Sequence, residues 1–315
     1  MGEDKVSGDK VSIRGRTARK VVKLANHFPV PGGPQRREFL RQRINERERK
    51  WECPEGFLLK EIEMEHFTME LLTGTDSTSD GIILQLHGGG YYRKMHNTYR
   101  AMAGLYREIS KGFDVLSIDY RVAPEHPFPA ALEDALAAYE WILTMDYNPD
   151  KIFVAGDSAG GGLALALCLY LRDYDIRLPK GIITMSAWTD LTKSGESYKE
   201  NFDIDPIFGG SKDTLVYKEG YYKDSDPANP YISPINGDYS GFPPILMQVG
   251  EYEMLLSDTL TIVDKARQAG VKVKEHIYRG MFHVFQMGML LYPESRDAWK
   301  EVGRFIRNLS KSDRQ

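Results

Sequence analysis

Gly156-Asp157-Ser158-Ala159-Gly160 sets one serine between two glycines. The apolar run before it (151–155) reads as a strand, and the small apolar run after it (161–172) as a helix. A serine on a strand-to-helix turn is held in a strained backbone, with its hydroxyl projecting above the sheet. The flanking glycines are needed because a Cβ there would strike the neighbouring strand or helix. The helix start behind Ser158 also favours negative charge as it develops. Nucleophilic attack on a carbonyl suits this arrangement. G-x-S-x-G also arises by chance in a chain with 29 glycines, and the strand–turn–helix context is what singles this one out.

Such an attack makes an oxyanion, which needs backbone N–H groups aimed at one point with no side chain in the way. His87-Gly88-Gly89-Gly90 follows the apolar strand 82–86, 71 residues ahead of Ser158. Gly88 and Gly89 are the expected donors, with the Ala159 N–H as the third. His87 is expected to orient the loop by hydrogen bonding.

The serine also needs a base. Of seven histidines, His27 and His66 precede the sheet, and His96 and His126 precede the nucleophile. His276 lies in a strand where alternation with Val271, Val273 and Ile277 turns it outward. His283 follows the last strand, ahead of the closing helix, where a base can reach back to Ser158. The carboxylate that orients it belongs between Ser158 and His283, after the strand 245–249. Glu251, Glu253 and Asp258 all qualify, and Asp258 also suits a capping role at a helix start.

The elements that position these groups alternate. Short apolar runs at 82–86, 115–118, 152–155, 182–185 and 245–249 read as strands buried on both faces. Helix-length segments such as 130–145 and 161–172 lie between them, which implies a mostly parallel sheet covered by helices. Residues 66–72 read as a half-buried strand with Phe67, Met69 and Leu71 inward. Residues 271–278 form a late strand and 293–309 a closing helix. Ahead of the sheet, 11–28 reads as a basic amphipathic helix with Val21, Val22, Leu24 and Ala25 on its apolar side. Pro29 to Pro34 breaks it, and a second helix carries Phe39, Leu40 and Ile44. Residues 191–226 interrupt the alternation and are polar, aromatic and glycine-rich. Insertions of this kind lie over the carboxyl ends of the strands, where ligands bind.

The charge is uneven. Residues 1–50 hold 14 Lys or Arg against 6 Asp or Glu, a net of +8, whereas the other 265 carry −12. Hydrophobic content of 42% and charged content of 27% describe a globular chain. The longest nearly apolar stretch, 160–171, is too short to cross a bilayer, so no stable membrane insertion is expected. Two cysteines, of which Cys168 reads as a buried thiol, and a polar N-terminus favour a cytoplasmic setting. No metal is expected, since H-E-x-x-H and C-x-x-C are both missing. No cofactor is expected either. Few aromatics accompany the basic head, so no nucleic-acid partner is expected.

Taken together, His87-Gly-Gly-Gly90, the segment Asp119-Tyr-Arg-Val-Ala-Pro-Glu-His-Pro-Phe-Pro-Ala130, Gly156-Asp-Ser-Ala-Gly-Gly161 and His283 resemble the hormone-sensitive-lipase-like esterases of the α/β-hydrolase fold. The resemblance spans roughly residues 55–310. It implies an α/β fold with a helical cap: 1–54 as N-terminal cap helices, 55–190 as the first part of the core, 191–226 as a cap insertion, and 227–315 as the second part. It implies Ser158 as nucleophile, His283 as base, and Gly88, Gly89 and Ala159 as oxyanion donors. Matched to the family's E-Y-D-P-L segment, Glu251-Tyr-Glu253-Met-Leu puts the acid at Glu253, although this chain departs from the Asp form. The 119–130 segment is expected to brace the active-site loops. The expected substrate is a small, short-acyl ester, hydrolysed through an acyl-enzyme. Tyr91, Tyr92, Trp188, Phe202 and Phe208 are candidate pocket walls. An acyltransferase or amidase would use the same residues. A non-catalytic binding protein of this fold is a further alternative, though receptors related to the family have lost the histidine that this chain keeps. The late strand offers an edge on which a homodimer can pair, as in similar esterases. The basic head then marks a cap–core boundary rather than a membrane arm. Its attraction to the acidic body predicts cap order and substrate affinity that weaken with salt.

Overall fold

The computed structural model describes residues 11–27, 48, 50–75 and 79–311. Eight strands form one sheet in the order β1-β2-β4-β3-β5-β6-β7-β8. These are β1 (Phe57–Glu63), β2 (Thr68–Gly74), β3 (Ile82–Leu86), β4 (Asp114–Asp119), β5 (Ile152–Asp157), β6 (Gly181–Met185), β7 (Ile245–Gly250) and β8 (Val273–Tyr278). The β1–β2 and β2–β4 pairs are antiparallel, and every later pair is parallel. The helices are α1 (Ile13–His27), α2 (Asn97–Ser110), α3 (Ala130–Leu143), α4 (Ser158–Asp173), α5 (Leu256–Gln268) and α6 (Pro293–Leu309), besides shorter turns.

Alternation along each central strand feeds two cores. Ile82, Leu84 and Leu86 pack on the side of α3, α4 and α5, while Ile83 points to the side of α2 and α6. Ile152 and Val154 divide from Phe153 and Ala155 in the same way. Covering both faces with helices explains why these strands read as unbroken apolar runs.

Two strands differ from expectation. β1 had no forecast; it pairs with β2 at the sheet edge and alternates only weakly. β2 is buried on both faces, not one: Met69 and Leu71 face one core and Leu72 the other. Glu70, expected in water, lies beneath α2, where Arg100 grips it at 2.8 Å through Nε.

α1 forms where the periodicity placed it, but its packed side differs. Gly15, Ala18 and Val22 face the body, with Ala18 and Val22 beside Tyr278, Met281 and Phe285. Val21, Leu24 and Ala25 face outward. Hydrogen bonds anchor the helix: Ser12 N–H to Glu294 Oε1 at 2.6 Å, Arg19 Nη1 to the Gly280 carbonyl at 2.7 Å, and Lys23 Nζ to the Asp203 carbonyl at 3.3 Å. Among the described residues Arg14, Arg16 and Lys20 make no ion pair, so the expected attraction between head and body is not built from contacts of these three. The expected second helix, with Phe39, Leu40 and Ile44, lies outside the described residues.

Residues 191–226 hold one helical turn, Ser197–Glu200, and a short turn at Leu215–Tyr217. β8 sits at the sheet edge. His276 on it is half-buried rather than exposed: its Nδ1 lies 3.1 Å from Glu301 Oε2, and its ring stacks on Tyr278. The α6 carboxylate supplies the partner that strand alternation could not reveal.

Candidate active site

β5 ends at Asp157 and α4 begins at Ser158, so the turn between them has no spare residue. Ser158 has φ 51°, a left-handed conformation that is costly for a residue with a Cβ. The glycines on either side are required as expected. A Cβ on Gly156 would come within 2.2 Å of the Gly160 carbonyl oxygen, and one on Gly160 within 2.1 Å of that of Leu86. Ser158 is almost fully buried.

His283 comes from the loop after β8. Its Nε2 lies 2.9 Å from Ser158 Oγ, and its Nδ1 3.1 Å from Glu253 Oε2. Glu253, after β7, is fully buried. Its other oxygen, Oε1, accepts the Ser186 hydroxyl at 2.8 Å and also the Gly250 N–H. The three acids left open by the sequence therefore separate by what they touch. Glu251 takes the Gly280 N–H at 2.7 Å and braces the loop that carries His283. Asp258 takes the N–H groups of Thr189 and Asp190 at 2.8 and 2.9 Å, and burial pushes its carboxyl well up. Only Glu253 of the three meets His283.

The glycine loop corrects one expectation. The Gly88 N–H is already engaged: it donates to Tyr99 Oη at 2.9 Å and to Asp157 Oδ1 at 3.2 Å. It is therefore not available to an oxyanion. The N–H groups of Gly89 and Gly90 have no protein partner among the described residues, and both glycines have positive φ, 114° and 66°. The Ala159 N–H lies in the first turn of α4, where no intrahelical acceptor exists. Sequence spacing marked the loop but not which amides it uses internally.

His87 braces this loop as expected. Its Nδ1 donates to the Gly88 carbonyl at 2.7 Å, and its ring stacks on Tyr120 at 4.0 Å. Burial lowers its pKa to about 3, so the ring is neutral. Tyr120 donates to the His87 carbonyl at 2.7 Å. Arg121 clamps Asp134 and so fixes the 119–130 corner.

Two neighbours were not anticipated as site residues. Asp157 accepts from Tyr99 as well as Gly88, and burial pushes its carboxyl up to about 7, with the His283 charge acting in the opposite sense. Its place inside G-x-S-x-G was the available signal. Ser186 stands at the end of β6, and only its position after a strand hinted at a role. Among the pocket-wall residues, Phe208 reaches the site, its ring 4.6 Å from that of His283. Tyr91 and Trp188 are core residues, with Tyr91 stacked on Tyr221. Among the described residues no group of acids, histidines and cysteines could hold a metal ion.

A buried serine–imidazole–carboxylate relay above a mostly parallel sheet defines a serine hydrolase of the α/β-hydrolase class, and a family model for the α/β hydrolase fold matches residues 83–287. The chain is 36% identical over 228 residues to an esterase of Acinetobacter venetianus, covering 72% of this chain and 75% of that one. It is 37% identical over 225 residues to an acetyl-hydrolase of Streptomyces hygroscopicus, covering 71% and 75%. An esterase of the bacterial hormone-sensitive lipase family superposes with a TM-score of 0.84 at 30% identity, over 96% of this chain and 99% of that one. The chain belongs to the hormone-sensitive-lipase-like esterases, and it is a carboxylic ester hydrolase. Among the described residues no helix is long and apolar enough to cross a membrane.

Proposed function

We propose that the chain hydrolyses small, short-acyl esters through an acyl-enzyme on Ser158. The observation that carries this reading is the unbroken relay from Ser158 Oγ through His283 to Glu253. His283 takes the serine proton through Nε2 as Oγ attacks the ester carbonyl. Glu253 accepts the Nδ1–H, fixes the tautomer and stabilises the imidazolium. The oxyanion rests on the N–H groups of Gly89, Gly90 and Ala159, with Gly90 taking the part expected of Gly88. The alcohol leaves with the proton from His283, and water then attacks the acyl-enzyme through the same base.

Short acyl groups are favoured by Phe208, whose ring stands against His283. The acetyl-hydrolase relative points the same way. In this reading α1 and residues 191–226 form a cap, joined by the bonds from Lys23 and Asn26 to the Asp203 and Pro206 carbonyls. The test is a p-nitrophenyl ester series from acetate to palmitate, combined with organophosphonate labelling. Activity should peak at short chains and label should sit on Ser158. A Ser158→Ala protein that keeps full activity would end the proposal.

A further inference from the structure

The outer face of α1 has no use in the reaction. Ile13, Thr17, Val21 and Leu24, at spacings of four, four and three, share one side of the helix and are all exposed. Ile13 is 75% exposed and Leu24 68%. Six of the nine exposed large apolar side chains among the described residues lie on this helix or within four residues of a residue that hydrogen-bonds it. Ile13, Val21 and Leu24 lie on it. Leu290 and Leu291 precede α6, whose Glu294 binds Ser12 at the start of α1. Ile204 lies between Asp203 and Pro206, which bind its last turns.

Cations flank this ridge. Arg14 follows Ile13 on one side, and Arg16 and Lys20 lie on the other, all exposed. α1 contains no acidic residue. An apolar stripe bordered by Lys and Arg is the pattern of a helix that lies in a lipid interface.

We propose that this face of α1 adsorbs the enzyme onto an anionic phospholipid surface, with the ridge entering the headgroup boundary and the cations meeting lipid charge. The charge pattern disfavours the other occupants. A two-fold pairing of α1 with a second copy would set cation against cation. Residues 28–47 carry five arginines against two glutamates, so in charge they offer no complement to the ridge's cationic borders. Leu58, Met145 and Tyr174, the other exposed large apolar side chains, stand apart in sequence from this cluster. The surface also lies near the chemistry, since the segment bound by α1 leads directly to Phe208 against His283. This is adsorption and not insertion across the bilayer.

The full chain should sediment with phosphatidylglycerol-containing vesicles at low ionic strength, and not with pure phosphatidylcholine. High salt should release it. Lys20→Glu should weaken binding by about fivefold or more, and Leu24→Asp should weaken it further. Both variants should keep the parent melting temperature and the parent rate on a water-soluble p-nitrophenyl ester. Failure of the parent to bind anionic vesicles would overturn the proposal, as would Leu24→Asp binding equally well. A parent dimer that Leu24→Asp converts to monomer would also overturn it, assigning the ridge to a second copy.

Discussion

The Ser186 hydroxyl donates to Glu253 Oε1 at 2.8 Å and accepts the Val284 N–H at 3.0 Å. One oxygen thus ties the carboxylate of the relay to the residue after His283. Ser186 is fully buried, with φ 52°. It touches neither Ser158 nor the imidazole in these bonds, so it acts by positioning. A hydrogen bond to a charged group contributes about 1.5–3 kcal/mol. Ser186→Ala should therefore lower kcat about 10–100-fold with KM little changed. In a Glu253→Ala background the same substitution should cost almost nothing more, because the two act as a unit. Independent, multiplying losses would refute this coupling.

Glu253 and Asp258 should respond differently. Glu253→Gln keeps the volume but offers an amide N–H or a neutral acceptor to Nδ1, so kcat should fall about 1,000-fold or more. Asp258→Asn should leave kcat largely intact and lower the melting temperature, since Asp258 serves the backbone of Thr189 and Asp190. Steady-state kinetics and thermal melts on the two variants make the comparison.

Asp157 should give stability a pH dependence. Its folded pKa, raised to about 7 by burial, lies above the ordinary carboxylate value near 4. The folded chain therefore holds a proton that the unfolded chain releases. The stabilisation from this group is complete below about pH 4 and is lost as pH rises through about 7. Asp157→Asn should flatten that part of the melting-temperature profile. An unchanged slope between pH 4 and 7 would show that other groups set it.

Phe208 should limit acyl length. Removing its ring beside His283 opens space in the site. Phe208→Ala should raise the ratio of octanoate to acetate hydrolysis about tenfold or more, since each methylene accommodated contributes about that scale of discrimination. A ratio that stays constant would place the acyl group elsewhere.

Salt should affect catalysis less than the charge asymmetry suggested. α1 is held through carbonyl acceptors and through Ser12 on Glu294, bonds that ionic screening weakens little. Substrate affinity on a soluble ester should change little between low and high salt, in contrast with vesicle binding.

Much of the core was legible because local rules decided it. Gly156 is dictated by contacts within about one turn of Ser158, Gly160 by the close approach of the helix to the end of β3, and the strands buried on both faces announced themselves as apolar runs. His283 was reachable by order along the chain. The choice of Glu253 over Asp258 came from likeness to a family, and physically from which carboxylate ends within 3.1 Å of an imidazole 30 residues later. Sequence spacing alone could not measure that.

The sequence by itself determined the mostly parallel α/β architecture, the strand–serine–helix turn and the order of Ser158, Glu253 and His283 along the chain, because each follows from periodicity, from the glycines on either side of one serine, or from chain order. Tertiary structure alone decided that Gly88 gives its N–H to Asp157 and Tyr99, that Ser186 joins Glu253 to the His283 loop, and that α1 turns Val21 and Leu24 to solvent. Those outcomes depend on distant segments competing for the same few donors and the same buried space. A +8 count over the first 50 residues carries no information about which side of a helix meets the body.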